Sequence, residues 1–432
     1  MRIHKICLLS CFFLLCSVIQ SLHCETRDSF LVVQTGWTTA ADTISQEELR
    51  RSFCAGSVRS SASAWPAASA LFGCKGAEPA KVEAFYPASR EKLILLDLSE
   101  TTPRMKALKV DGLSPFADGE KYPLRGKSLP RFTHFILTGV SALTRYTGKS
   151  ADANGVSVLS EQVRPFFQSA DFVHVSNEVS FTSPCVFEKG TRFCSKEAHF
   201  QVYRDLKVNV VELTGNHNRD YGNEPFFRTY DWFHAHGMNT FGGGKTEASA
   251  NEPLVLNANG TRIVLIGFNE LCPLNECAQG STPGANRFEA EKAHRTVTDI
   301  RKKYPDAFVI ATVQYGEVSA YKPTESQKRI SYALLDSGAD LAYGSQAHQV
   351  QQMEFRKGKV ILHGLGNFLF DQTHTFGLRQ GYFMNLYFQG NRLAGMEPVF
   401  TWIDEKFRPV PATPAQAREI KSAIYSDDLL YK

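Results

Sequence analysis

The sequence lacks several features that would define a protein at once. After residue 24 no apolar run approaches the ~20 residues that a membrane-crossing helix needs, so no transmembrane span is expected beyond that point. No C-x-x-C pair or Cys/His cluster of zinc-finger spacing occurs, which removes the case for a zinc-stapled fold. No Arg/Lys-rich run is present and the net charge is only +4, so nothing argues for a nucleic-acid partner. Internal repeats and low-complexity segments are also missing, which excludes solenoids and disordered tails. What remains is ordinary globular composition, 43% hydrophobic and 21% charged, over 432 residues, enough for two or three domains.

Residues 1–24 read as an export signal. Arg2 and Lys5 form a basic start, Ile6 to Ile19 is almost wholly apolar, and a polar stretch follows. Leu8-Leu9-Ser10-Cys11 resembles a lipobox and leaves a lipid anchor at Cys11 open. The expected location is exported: periplasm, outer surface or medium. Of ten cysteines, four lie in this segment, and the other six fall in neighbouring pairs: Cys54 and Cys74, Cys185 and Cys194, Cys272 and Cys277. Six cysteines allow fifteen pairings. Local pairing is the simplest, and an oxidising compartment permits it.

Residues 25–130 read as a small α/β unit, faintly like a lobe of a solute-binding protein, whose segment Thr101–Pro130 is a connector. Ser45 and Glu48 form a capping-box pattern that opens a helix through Phe53. From residue 131 to about 400, strands alternate with helices, which argues an α/β fold with sheet covered on both faces. SEQVRPFFQSA, PFFRTYDWFHAH, AEKAHRTVTDIRKK and TESQKRISYALLDS read as helices. Residues 401–432 form an extension with a polar helix.

Six apolar runs in this part end in polar, metal-capable residues. They are FVHVSNE with Glu178, NVVELTGNHNRD with Asn216, His217 and Asp220, RIVLIGFNE with Asn269 and Glu270, FVIATVQYGE with Gln314 and Glu317, DLAYGSQAH with Gln346 and His348, and VILHGLGNF with Asn367. Such endings suit a buried parallel sheet whose carboxyl-end loops converge, where ligands bind in open α/β sheets. A carboxylate such as Glu178, ending an apolar strand, is costly unless partnered. Mid-strand histidines such as His174 and His363 read instead as satisfied core groups.

TGNHNRDYG, PTESQKRISYALLDSGADLAYGSQAHQ and KGKVILHGLGNFLFDQ together resemble the poly-γ-glutamate capsule-synthesis (CapA-type) family. ADFVHVSNEVSFT and FILTGVSALTR resemble its earlier segments, so the resemblance covers about Arg131 to Gln372. It implies a four-layer α/β/β/α sandwich similar to calcineurin-like metallophosphoesterases, preceded by the smaller unit. It also implies metal ligands at Glu178, Asn216 and His348, and catalytic work at His217, oriented by Asp220. A polar substrate shell would comprise Gln314, Glu317, Gln346, Asn367 and Arg145. Asp371 matches the segment after Asn367, a position open to a purely structural role.

The departures are as informative. The opening Asp is Val140, and two ligand histidines are Gln314 and Gln346. Two-metal hydrolysis needs ions ~3.5–4 Å apart, and manganese, iron or zinc prefer carboxylate and imidazole to neutral amides. One divalent ion is the most this set suggests. Two functions follow. One is a metal-dependent hydrolase of capsule or exopolymer biosynthesis, acting on a phosphoester or an anionic envelope polymer. The other is an envelope binding or assembly protein that keeps the fold without the dinuclear site.

Overall fold

The computed structural model describes residues 29–85, 92–187 and 190–431. The segment expected to be an export signal, with the lipobox-like stretch ending at Cys11, lies outside the described residues. Among the described residues, nine strands form one mixed sheet and six form a second. In the first, Asn239–Phe241, Val210–Glu212, Phe172–Asn177 and Thr133–Leu137 run parallel in that order. The long antiparallel pair Gln380–Gln389 and Arg392–Ile403 continues it. In the second, Thr261–Asn269, Phe308–Val318, Leu341–Ala347 and Lys359–Leu362 run parallel, with antiparallel edges at Leu254–Ala258 and Met353–Arg356.

The α/β expectation therefore holds, with one correction. The six polar strand endings come from two sheets, not one. Both sheets read as continuous apolar runs because each is buried on two faces. Alternate residues show this directly. Ile263, Leu265 and Ile310 join Phe135, Leu137 and Met384 in one cluster between the sheets. Their neighbours Val264, Ile266 and Val309 pack outward against Ala293, Val297 and Ile330, on the helices Ala290–Lys303 and Glu325–Asp336. On the other side Ile136, Val173 and Val211 pack against Phe200, Phe226 and Phe233. The order across the molecule is thus helices, sheet, sheet, helices.

Thr324 caps the helix Glu325–Asp336 in a reciprocal box with Gln327. SEQVRPFFQSA does not form the expected helix. Pro165 lacks the N–H that a continuous helix uses, and only the 3-10 turn Arg164–Phe167 forms.

Toward the N-terminus, Leu31–Thr35 and Ile94–Asp97 pair in a small sheet of their own. Ser45 accepts from the Glu48 N–H and starts the helix Gln46–Cys54. Thr101–Pro130 is more than a connector: its Phe116, Tyr122 and Leu124 are buried in this unit's core, together with Tyr387 and Ala394 of the large sheet. Disulfides join Cys54–Cys74, Cys185–Cys194 and Cys272–Cys277, as local pairing requires. No helix among the described residues is long and apolar enough to cross a membrane.

Candidate functional site

The carboxyl ends of strands from both sheets meet at one edge. Glu178 follows Phe172–Asn177, and Asn216 and His217 follow Val210–Glu212 by a tight turn. That turn needs Gly215, because a Cβ there would lie 2.7 Å from the Asn177 carbonyl oxygen and from Glu178 Cα. The second sheet contributes Gln314 and Gln346. Gln346 sits at φ +70°, a left-handed conformation that costs a side-chain-bearing residue energy and persists only where neighbours hold it.

These four side chains form one hydrogen-bonded hub. Gln314 Nε2 donates toward Gln346 Oε1 at 2.6 Å, Asn216 Oδ1 at 2.7 Å and Glu178 Oε1 at 3.2 Å. Burial pushes the Glu178 carboxyl up to about 8, and the nearby Glu317, Glu212, Asp220 and Glu276 charges add to the rise. Glu178 is therefore largely protonated at neutral pH.

A second group lies beside the hub. His217 Nδ1 bonds Asp220 Oδ2 at 2.8 Å, the orienting contact that the family resemblance implies. His348 Nδ1 bonds Asn367 Oδ1 at 2.9 Å, and burial lowers its basicity. Arg145 is clamped on Asp371 through Nε at 3.1 Å and through Nη2, and Asp371 also accepts from the Tyr146 N–H. Phe193 and Phe370 bind the group together. The Arg145 guanidinium lies over both rings, at 4.5 and 4.9 Å. Phe193 touches the His217 ring at 4.1 Å, and Phe370 lies 5.2 Å from His348.

The remaining residues have definite places. Glu317 is exposed, with Oε1 4.0 Å from His348 Nε2, beyond hydrogen-bond range. Asn269 braces the His217 turn from behind, donating to the Thr214 carbonyl and accepting from the Cys272 N–H. Glu270 accepts from the Gly316 N–H and Ser326. His174 and His363 are core groups paired with Glu212 and Glu354.

Two acids escaped the sequence reading. Glu212, fully buried in NVVEL, accepts from Thr214 and Thr312 and contacts His174, tying the two sheets beneath the site. Its signal was a lone carboxylate inside an apolar strand. Glu276 accepts from the Arg219 N–H at 2.9 Å, and burial pushes it up to about 8. No strand pattern marked it, because it lies on the Cys272–Cys277 loop.

This donor set does not fit a two-ion centre. Val140, at the position of the opening aspartate, packs with Ala142, Val179, Phe193 and Phe370 in an apolar floor. Gln314 directs a donor N–H group, not a ligand oxygen, at the other three side chains. His348 is tied to Asn367 and makes no bond to Glu178 or Asn216. Among the described residues, no three His, Cys, Asp or Glu side chains gather in a way that could hold a metal ion.

Residues 134–372 match the family described as bacterial capsule synthesis protein PGA_cap. The chain belongs to this family. It is 27% identical over 239 residues to the PGA biosynthesis protein CapA of Bacillus subtilis, covering 54% of this chain and 61% of that one. It is 23% identical over 264 residues to the capsule biosynthesis protein CapA of Bacillus anthracis, covering 59% of this chain and 63% of that one. The chain thus matches about three fifths of the length of these relatives. A hypothetical protein from Thermus thermophilus superposes with a TM-score of 0.41 at 12% identity, covering 62% of this chain and 98% of that one.

Proposed function

We propose that this protein is exported and takes part in capsule or exopolymer biosynthesis, where the polar cluster at its strand ends binds an anionic poly-γ-glutamate-type chain without two-metal hydrolysis. Family membership over the segment that carries the site supports the general role. The names of the Bacillus relatives support the polymer class.

One observation carries the binding reading. His217, His348 and Arg145 are each anchored through one end by Asp220, Asn367 and Asp371. His217 Nε2, His348 Nε2 and Arg145 Nη1 have no hydrogen-bond partner among the described residues, and none of these atoms is among the buried unpaired ones. With Nδ1–H donated, each imidazole offers a lone pair at Nε2 that accepts from an amide N–H. Arg145 Nη1 offers a donor to a carboxylate. A chain that repeats amide and carboxylate groups matches both. Burial disfavours the charged forms of Glu178 and Glu276, which lowers the negative charge such a chain would meet.

The test is retention of purified poly-γ-glutamate by the immobilised full chain, with polymer length followed over time. We expect retention, an affinity loss of about tenfold for Arg145→Ala, which is ~1.4 kcal/mol, and unchanged length. Absence of retention, or shortening that depends on His217, contradicts the reading.

A metal-dependent hydrolase is the second reading. The His217–Asp220 pair favours it, since this geometry suits an oriented general acid. Val140, Gln314 and Gln346 weigh against it.

A further inference from the structure

We propose that the Gln314 carboxamide stands where a cation would be needed, so that this site assembles without metal. This goes beyond the choice of polymer and does not depend on it.

The geometry starts from three oxygens. Glu178 Oε1, Asn216 Oδ1 and Gln346 Oε1 come from three different strand ends on two sheets, and all lie within 3.2 Å of one nitrogen. Oxygens brought so close repel unless a positive centre lies among them. In a metal site that centre is the ion. Here it is the Gln314 amino group, with two polarised hydrogens shared among three acceptors. The donor end alone fixes the amide, because Gln314 Oε1 is buried and has no hydrogen-bond partner among the described residues. Turning the amide over would place a fourth oxygen against the other three and leave the Glu178 hydroxyl as the one donor among them, a crowding that a bound cation would relieve.

Two further features agree. Gln346 is held at φ +70° with its side chain in this hub, so the hub stabilises a strained turn that would otherwise relax. Val140 puts an apolar cluster where another charged ligand would have to stand. The hub thus satisfies its own oxygens and holds the Asn216–His217 turn of one sheet against the Gln346 turn of the other.

The test is thermal denaturation and equilibrium dialysis of the full chain and of Gln314→Glu, with 1 mM Mn²⁺, Zn²⁺ or Ca²⁺. We expect no change in Tm for the native chain and no retained ion. Gln314→Glu replaces the donor by a carboxylate, so we expect it to gain a Tm rise with at least one of these ions and to bind it at least tenfold more tightly than the native chain. A native chain that retains about one ion and gains Tm with it overturns the proposal, because the amide must then turn its oxygen inward. A folded Gln314→Glu that responds to no ion overturns it too. Should that variant not fold, the native measurement decides alone. Polymer retention, measured separately, shows whether the binding reading stands or falls independently.

Discussion

Glu178 makes the residue scale quantitative. Its carboxyl is raised to about 8 by burial and by neighbouring acids, while the unfolded chain has an ordinary glutamate. Between the ordinary value and about 8, the folded chain keeps a proton that the unfolded chain releases. This contribution to stability is full at low pH and is lost as pH rises through that window. Tm should therefore fall from pH 5.5 to pH 8. Glu178→Gln, which stays neutral, should flatten part of that fall; an unchanged slope in the variant means that Glu178 is ionised throughout. Asp371 gives a second test. It holds Arg145 by its side chain and Tyr146 by its backbone N–H. Asp371→Ala should weaken polymer retention as much as Arg145→Ala does, because a guanidinium freed from its clamp no longer sits over Phe193 and Phe370.

Among elements, both short disulfide loops brace the His217 turn. On the Cys185–Cys194 loop, the Phe193 N–H donates to Asp220 Oδ2 at 2.6 Å and Arg192 Nε donates to the Asp220 carbonyl at 2.8 Å. On the Cys272–Cys277 loop, Glu276 receives the Arg219 N–H. Replacing Cys185 and Cys194 by Ser should cost about 2–3 kcal/mol, the chain-entropy expectation for so short a loop. It should also lower polymer affinity, since Phe193 then no longer fixes the His217 ring. Denaturant titration alongside a retention assay separates the two effects. Gly139 is a stricter case: a Cβ there would lie 2.1 Å from the Gly366 carbonyl oxygen. Gly139→Ala should reduce soluble yield sharply, because backbone on both sides must move.

Much of this scale was legible from the chain. Apolar runs marked the strands, Ser45 marked a helix start, and the family resemblance marked the contact of His217 with Asp220. What escaped was tertiary. Pro165 broke an amphipathic pattern, and six similar strand ends gave no sign that they divide between two sheets. Gln314, Gln346 and Asn216 were visible as candidates. That one amide nitrogen would join them to Glu178 depends on how two sheets stack, which no local pattern records.

Over the whole molecule, the N-terminal unit docks onto the far hairpin of the large sheet. Arg392 donates to the Thr101 and Leu98 carbonyls, Ser114 donates to Glu397, and Tyr387 joins the N-terminal core. Removing residues 29–130 would expose Tyr387 and Ala394 and strand Arg392. A chain starting at residue 131 should have a lower Tm and aggregate more readily than the full chain. Equal Tm values would mean that the two units are energetically independent.

The central claim is that the strand-end site binds its polymer without metal. The most direct measurement is poly-γ-glutamate retention by the full chain after exhaustive EDTA dialysis, compared with the same sample resupplied with Mn²⁺ or Zn²⁺. Equal retention and unchanged polymer length in both is the predicted result. Retention that appears only with the ion, or a polymer that shortens when the ion is added, would contradict it.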